Sequence, residues 1–417
     1  MTDGQIRDLA PAFSSYLRPY HPFCNQQRTS RHLDSYCRAL LSEASRKTVE
    51  PNALASGTAV RTLQKFLTTT CWDHHALRDE LQSRMGRTLR ELPGHDGLGT
   101  VGVVDETSVV KKGDQTPGVQ RQYPGCVGKV ENGLVTVHPA ATRGAFRTLL
   151  DADPYLPKSW HADRPRCERA GIPESVVYRP KWLIALEQHD RLKTNGVEFD
   201  WLTFDEGYGG KPVFVCVLAL MGRKFAGEVP KSFAVDAGVR SCRADVVLPP
   251  SVASAGKRYR LQRETQPDQV WRAVAGRVQV NGIPMTLVAA WNESTSEVKY
   301  FLASGSRSVG RILRVGFRRW TVEHLFRVAK QEVGLTDYEG RTCTGLLRHL
   351  FPSLLVLGFV AIRTDRLRGE KSGSDDGTGL RGVEPVVRNL VETTAGPNQL
   401  TAHGPGASLP PETQRHR

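Results

Sequence analysis

One change of rhythm limits what this chain can fold into. Up to about residue 92 apolar side chains recur with a helical period, and beyond the turn-rich connector ELPGHDGLG, at Pro93 and Gly94, they gather into short strand-length runs. In HLDSYCRALLSEASRK, Leu33, Tyr36, Cys37, Leu40 and Leu41 share one helical face. Val60, Leu63, Phe66 and Leu67 mark a second helix, and Asp73 is placed to cap a third, WDHHALRDELQSRMGRTL. The expected order is a small helical domain followed by α/β units.

After the connector, TVGVVDE reads as a strand ending in carboxylates, and GLVTVHPAA and FRTLLDADPYL as two further strands of a meander. KWLIALEQHDRLKTNG is a helix closed by Gly196 at C′, and VEFDWLTFDEGYGG alternates before a second acidic turn. From 211 to 299 the pattern is β-rich: VFVCVLAL, KSFAVDA, RYRLQRE, RVQVNGIPMTLVAAW and VKYFLAS are strand candidates. Helix returns at 306–333 and 343–363. The remainder is rich in Gly, Ser, Pro and Asp, with one short helix expected at Val383, Val386, Val387, Leu390 and Val391 and disorder in the last twenty or so residues. The expected units are therefore 1–95, 96–210, 211–299, 300–365 and a tail, 366–417.

Charge narrows the partner. Lys and Arg number 57 against 43 Asp and Glu among 417 residues, a net +14, which points to a polyanion because neutralised phosphates release counterions. No stretch approaches the roughly 18 apolar residues of a membrane span. The N-terminus carries Asp3 and Asp8 and lacks the pattern of a secretory signal, so no membrane association and a cytoplasmic location are expected. Eight cysteines are scattered singly, without zinc spacing, and are expected as reduced thiols.

Two acidic positions follow apolar strands: Val101, Val103 and Val104 lead into Asp105, and Phe199, Trp201, Leu202 and Phe204 into Asp205. A lone Asp in such a place is ordinarily a turn former or helix cap, whereas two at strand ends can converge on a metal. A third piece is RRWTVEHLFRVAKQEVGL, where Glu323 is the one acid among seven basic residues between Arg307 and Lys330. Arg319 lies one turn before Glu323, and Lys330 about two turns after it. Its plain reading is a solvated helix face with an intrahelical ion pair; its functional reading puts Arg319, Arg327 and Lys330 on the phosphates of a polyanionic partner. The loop from Gly113 to Gly128, with Lys111, Lys112, Arg121 and Lys129 in and around it, could hold phosphate or be a solvated hairpin. It lacks a GxxxxGK[ST] motif, so no nucleotide cofactor is expected. His74 and His75 are neighbours that face apart on a helix, surface or cap residues rather than ligands. Glu106 and Glu206 adjoin the Asp positions but point the other way on a strand.

RKTVEP, FLTTTCWDH, VVDETSVVKKG, GVQRQYPGCVGKVENG, YLPKSW, AGIP, FDEGYG and WTVEHLFRVAKQEVGLTDYEGR followed by RHL together make residues 15–363 resemble the DDE transposases of bacterial insertion sequences, the DDE superfamily endonuclease group. The resemblance implies an RNase H-like α/β catalytic core, a β-rich insertion domain at 211–299 and an N-terminal helical domain that binds DNA ends. It implies Asp105 at the end of the first strand, Asp205 after the fourth and Glu323 on the late helix, as catalytic residues holding two Mg²⁺ ions, with Mn²⁺ able to replace them. The intervals of 100 residues from Asp105 to Asp205 and 118 on to Glu323 leave room for the insertion. Arg319, Glu323 and Lys330 also resemble a related signature that begins with Tyr, but the Tyr position here is Gly316, so no Tyr-to-phosphate contact is implied. The implied partners are double-stranded DNA, as element ends and target, and a second copy of the chain in the DNA complex. Trp291, beside the turn Asn292, Glu293 and Ser294, is either a core residue of the insertion or a stacking platform for a displaced base.

The leading expectation is thus an enzyme that cuts element ends and joins 3′-hydroxyls to target DNA. A catalytically silent DNA-binding derivative and an RNase H-like nuclease without strand transfer are the alternatives.

Overall fold

The computed structural model describes residues 9–371 except 95, 123–127, 239, 262–267 and 306. It is a mixed α/β structure with two sheets. The first helices are α1 (Leu9–Leu17), a 3₁₀ segment (Arg18–Cys24), α2 (Gln27–Leu40), α3 (Val49–Ala55), α4 (Val60–Thr68) and α5 (His74–Glu91). The expected periodicity reappears as burial: Leu33, Tyr36, Cys37 and Leu40 of α2 and Leu63, Phe66 and Leu67 of α4 all face inward. Asp73 does cap α5, its Oδ1 accepting from the amides of His75 (3.0 Å) and Ala76 (2.9 Å).

The first sheet contains β1 (Val101–Val110), β2 (Gln120–Gln122), β3 (Glu131–Arg143), β4 (Phe146–Leu149) and β5 (Asp153–Pro154). The expected meander is present, with β3 antiparallel to β1 on one edge and to β2, β4 and β5 on the other. The strand expected to end at the carboxylates Asp105 and Glu106 instead runs four residues further, because Thr107, Val109 and Val110 continue a β-branched pattern and pair with β3 all the way. The chain continues through α6 (Lys158–Ala162), α7 (Arg164–Arg169), α8 (Lys181–Thr194), β6 (Trp201–Phe204), α9 (Glu206–Gly209) and α10 (Pro212–Leu220). Gly196 follows α8 at φ +79°, the left-handed C′ position its sequence suggested. β6 joins the sheet parallel to β1.

VFVCVLAL, expected as a strand, is the helix α10. A run of unbroken apolar residues carries no period, and Pro212 supplies a helix start, so the strand reading had nothing to oppose it in the pattern alone. The second sheet therefore begins later, with β7 (Ala226–Val229), β8 (Ala234–Ala237), β9 (Arg240–Arg243), the short helices α11 (Ala244–Val247) and α12 (Pro250–Ser254), then β10 (Lys257–Leu261), β11 (Gln269–Val280), β12 (Ile283–Asn292) and β13 (Val298–Ser304). Its order is β7-β13-β12-β11-β8-β9, with β10 on β11. Asn281 and Gly282, both at positive φ, turn β11 into β12. A parallel bridge between Leu202 and Phe225 stitches this sheet to β6 of the first.

The last three helices are α13 (Val309–Phe317), α14 (Trp320–Gln331) and α15 (Cys343–Lys371). The helix expected at 306–333 is two helices, because i to i−3 hydrogen bonds at Arg318 (3.0 Å) and Arg319 (3.4 Å) tighten the chain at the junction. The tail was expected to begin at residue 366, yet α15 continues to Lys371; the helix proposed near Val383 and the disorder beyond lie outside the described residues. α15 also corrects the expectation that no stretch is long and apolar enough to span a membrane: Cys343–Arg368 is, but most of it is buried inside the protein. It packs on α2, α4, α5 and β4, so that Leu9 to Leu89 share one apolar cluster with Val322 to Val360. The N-terminal helices therefore do not have a core of their own.

Arg348 illustrates how α15 holds those helices. Its guanidinium, buried and 4.8 Å from the centre of the Trp72 ring, donates to the carbonyls of Thr70 (2.7 Å) and Trp72 (2.9 Å) just after α4. A second buried tie joins α5, α8 and β5. Arg191 donates to Asp151 (2.8 Å) and Asp153 (2.6 Å), and Gln82 donates to the same Asp151 oxygen (2.9 Å). His74 and His75 do not face apart as expected: in the first turn of α5 their rings lie 4.3 Å from each other, both against Phe351. The seven cysteines among the described residues are free thiols, four of them buried.

Candidate active site

β1 and β6 are paired from Val101 and Trp201 to Val104 and Phe204. Parallel strands in register bring equivalent positions side by side, so the next residues, Asp105 and Asp205, emerge together where β6 ends. Asp205 leaves the strand and caps α9, its Oδ1 accepting from the amides of Gly207 (3.0 Å) and Tyr208 (3.2 Å). Both readings of an Asp after a strand, cap and site residue, meet in this position. Asp105 stays in the sheet and is nearly buried; its Oδ1 accepts from the Glu106 amide at 2.7 Å. Burial and the charge of Asp205 push the Asp105 carboxyl up to about 7, against the pull of Arg319 and the Glu106 amide.

Arg319 sits at the tight junction of α13 and α14, whose geometry turns its side chain back over β1. Nη1 donates to Asp105 Oδ2 at 3.2 Å and Nη2 to Glu323 Oε1 at 3.3 Å. Burial works against this charge, yet Asp105, Glu323, Asp205 and Glu228 together raise Arg319 above the ordinary guanidinium value. Glu228, on β7 and paired with Lys299 at 2.6 Å, is a site neighbour that the sequence reading missed; its one mark there is a carboxylate within the apolar run FAGEV.

Glu323 projects from α14 with its side chain 63% exposed. Among the described residues no three His, Cys, Asp or Glu side chains stand close enough to share an ion, so Glu323 is joined to the Asp pair through Arg319 rather than directly. The donor set still fits a hard divalent cation. Burial, with the charge of Asp205 added, raises the Asp105 carboxyl to about 7, and a guanidinium already sits where positive charge is wanted. The Tyr position of the related signature is filled by Gly316 for a packing reason: a Cβ there would stand 2.6 Å from the Phe301 ring.

The basic candidates divide. Arg327 is exposed one turn beyond Glu323, and Lys330 reaches β1, donating to the Ser108 carbonyl at 3.2 Å. Lys111 is committed to the fold, donating to the carbonyls of Thr336 (3.0 Å) and Tyr338 (2.6 Å). Lys112 and Arg121 are exposed, and Lys129 is exposed and paired with Glu131 at 2.8 Å. Arg121 lies just past Val110, at least roughly 17 Å along β1 from Asp105 at the usual rise per residue.

Trp291 is not brought to this site. It pairs with Val298 on the face that carries Tyr300 and Val229, whereas Glu228 and Lys299 lie on the opposite face with Phe301. The ring is partly buried against the core beneath α10. Glu106 points away from Asp105 as alternation requires, to an ion pair with Lys181 and a hydrogen bond from the Tyr208 hydroxyl at 3.2 Å. Glu206 is exposed.

The family model of the DDE superfamily endonucleases matches residues 19–295, which include both Asp105 and Asp205. The chain belongs to the DDE superfamily endonucleases. Nucleases of this superfamily generally use divalent metal ions, in keeping with the carboxylate pair. This DDE endonuclease is also similar to a probable transposase for insertion sequence element IS701 from Microchaete diplosiphon, at 33% identity over 147 residues, 35% of this chain and 34% of the relative. The chain thus aligns with about a third of that relative's length. Glu323 lies beyond the residues matched by the family model, so its place beside the Asp pair rests on the Arg319 contact alone.

Proposed function

We propose that this DDE endonuclease is a transposase, which cleaves DNA at the ends of an insertion sequence and transfers the 3′-hydroxyl strands into target DNA. The observation that carries this reading is the in-register emergence of Asp105 and Asp205 from adjacent parallel strands, with Arg319 linking Asp105 to Glu323. The parallel β6 beside an antiparallel meander supports an RNase H-like core built from the first sheet, α13 and α14. In that reading the second sheet from β7 onward is an insertion domain, and α1 to α5 contribute DNA-end binding.

Asp105, Asp205 and Glu323 would hold the metal, with Mg²⁺ the ion their oxygens suit best and Mn²⁺ a replacement. Held there, two such ions would supply activation of the attacking water or 3′-hydroxyl and charge stabilisation at the leaving oxygen of an in-line displacement. Asp105 would hold such an ion as the ionised carboxylate. Arg319, freed from the carboxylates, can turn its planar fork to a DNA phosphate, and Arg327 and Lys330 extend that positive strip along α14. The partners in this reading are element-end and target DNA, with a second copy of the chain in the complex.

The test is cleavage of a duplex that carries the inverted repeats flanking the gene, with Mg²⁺ present. Wild type should cut, and Asp205→Ala should bind the ends without cutting. Retained cutting by Asp205→Ala would overturn the site assignment. End binding without cutting by wild type would favour the silent derivative, and cutting without joining would favour a nuclease.

A further inference from the structure

The segments YLPKSW and AGIP take no part in the Asp105 and Asp205 site, yet they are rigidly built. Leu156, Trp160, Cys167, Ala170 and Ile172 form a small buried cluster separate from the main cores. It is anchored to the GVQ segment before β2, where the Trp160 indole donates to the Val119 carbonyl at 2.7 Å and the Ser159 hydroxyl to the Gln120 side chain at 2.9 Å. Gly118, at φ +82°, lets the backbone of Tyr155 come so close that a Cβ would stand 2.8 Å from its carbonyl oxygen.

This scaffold presents two half-buried tyrosines and two lysines. The rings of Tyr155 and Tyr178 are 6.2 Å apart and nearly perpendicular. The Lys158 ammonium lies 5.1 Å from the centre of Tyr178, and that of Lys181 lies 5.6 Å from Tyr155. Tyr155 leans on the core beneath α8, whereas Tyr178 meets Tyr155 and the exposed Lys158. Lys181 also pairs with Glu106, the residue after Asp105, and this fixes where the group stands. Glu106 and Asp105 are neighbours on β1 and point to opposite faces of it, so the group stands across β1 from the Asp105 carboxylate.

We propose that Tyr155, Tyr178, Lys158 and Lys181 form a platform for an unpaired stretch of DNA strand on the face of β1 opposite Asp105, with bases laid on the rings and phosphates against the ammoniums. It rests on the DNA reading of the Asp105 and Asp205 pair. Stacking on tyrosine ignores base identity, which suits a protein that must hold whatever sequence flanks its site. Bases inside a duplex cannot reach two half-buried rings set nearly at right angles, so the occupant is an unpaired strand. Lys158 carries the main phosphate contact, because Glu106 already offsets the charge of Lys181.

The experiment measures binding of the full chain to a blunt duplex and to the same duplex with a single-stranded overhang, by fluorescence anisotropy over a range of salt. Wild type should prefer the overhang, and Tyr178→Ala should weaken overhang binding roughly fivefold or more while leaving the blunt duplex unchanged. Tyr178→Phe should keep the preference. Lys158→Ala should reduce the salt slope for the overhang by about 0.7. Equal affinity of wild type for the two probes, or an unaltered preference in Tyr178→Ala with an unaltered melting temperature, would overturn the platform. Asp105→Asn separates the two readings: it should stop cutting and keep the overhang preference. A wild-type protein that cuts no DNA but shows a preference lost in Tyr178→Ala would sink the catalytic reading and leave the platform standing.

Discussion

Arg319 joins Asp105 to Glu323 through one guanidinium, with contacts of 3.2 and 3.3 Å from its two terminal nitrogens. A side chain in that position competes with any cation the carboxylates would bind. Arg319→Gln should therefore take up Mn²⁺ in the absence of DNA about tenfold more tightly than wild type, since a hydrogen bond to a charged group is worth roughly 1.5–3 kcal/mol. The same variant should cut DNA more slowly, for want of a phosphate contact. Loss of the free Mn²⁺ signal in electron paramagnetic resonance reads the first effect, and equal affinities for the two proteins would remove the competition.

Asp105 gives a pH dependence whose sign follows from its raised carboxyl. Its ordinary value of 3.8 is lifted to about 7, so between those values the folded state holds a proton that the unfolded chain has released. Stability from this group is present below about 4 and is lost as pH rises through about 7. Asp105→Asn keeps the neutral form throughout. Its melting temperature should exceed that of wild type at pH 8 without divalent ions and approach it at pH 5, and Mg²⁺ should narrow the gap at pH 8. A gap that is constant with pH would contradict the shift.

Gly316 lies inside α13, where alanine would ordinarily stabilise a helix by about 1 kcal/mol. Here a Cβ would press on the buried Phe301 ring at 2.6 Å, and overpacking of that kind costs roughly 1–3 kcal/mol. The clash should win. Gly316→Ala is expected to lower the melting temperature, and an increase would show that the ring can move aside.

Asp151 is wholly buried and accepts from both Arg191 and Gln82. Asp151→Ala should cost about 3 kcal/mol or more, because Arg191 is left partly buried with half its partners. Chemical denaturation of the two proteins measures it. A loss below about 1 kcal/mol would mean that Asp153 alone balances the charge.

Trp291→Ala should lower the melting temperature and slow first-strand nicking and second-strand cutting by equal factors, since the ring faces away from Glu228 and Lys299. A selective loss of second-strand cutting, with stability intact, would restore a role in DNA contact.

Much of this arrangement could be read from residues alone, where short-range rules decide. The periods of α2 and α4, the Asp73 cap and the Gly196 terminator are local, and local chemistry set them. The Asp105 and Asp205 positions were visible as carboxylates after apolar runs, but not their shared register, which depends on which strands pair. α10 was misread because an all-apolar helix and a buried strand look alike. Arg319 was seen as an intrahelical partner of Glu323; its reach to Asp105 depends on a junction between helices that no period announces. Glu228 and the tyrosine pair were invisible for the same reason, each being assembled from distant segments.

The apolar cluster that unites Leu9 to Leu89 with Val322 to Val360 has a consequence in time. At the usual pace of translation, the opening helices leave the ribosome on the order of tens of seconds before the residues they are to be packed on exist. Until α15 emerges they present an apolar surface with nothing to cover it. A chain that stops short of α15 keeps that surface bare, the kind of exposure that chaperones and proteases act on.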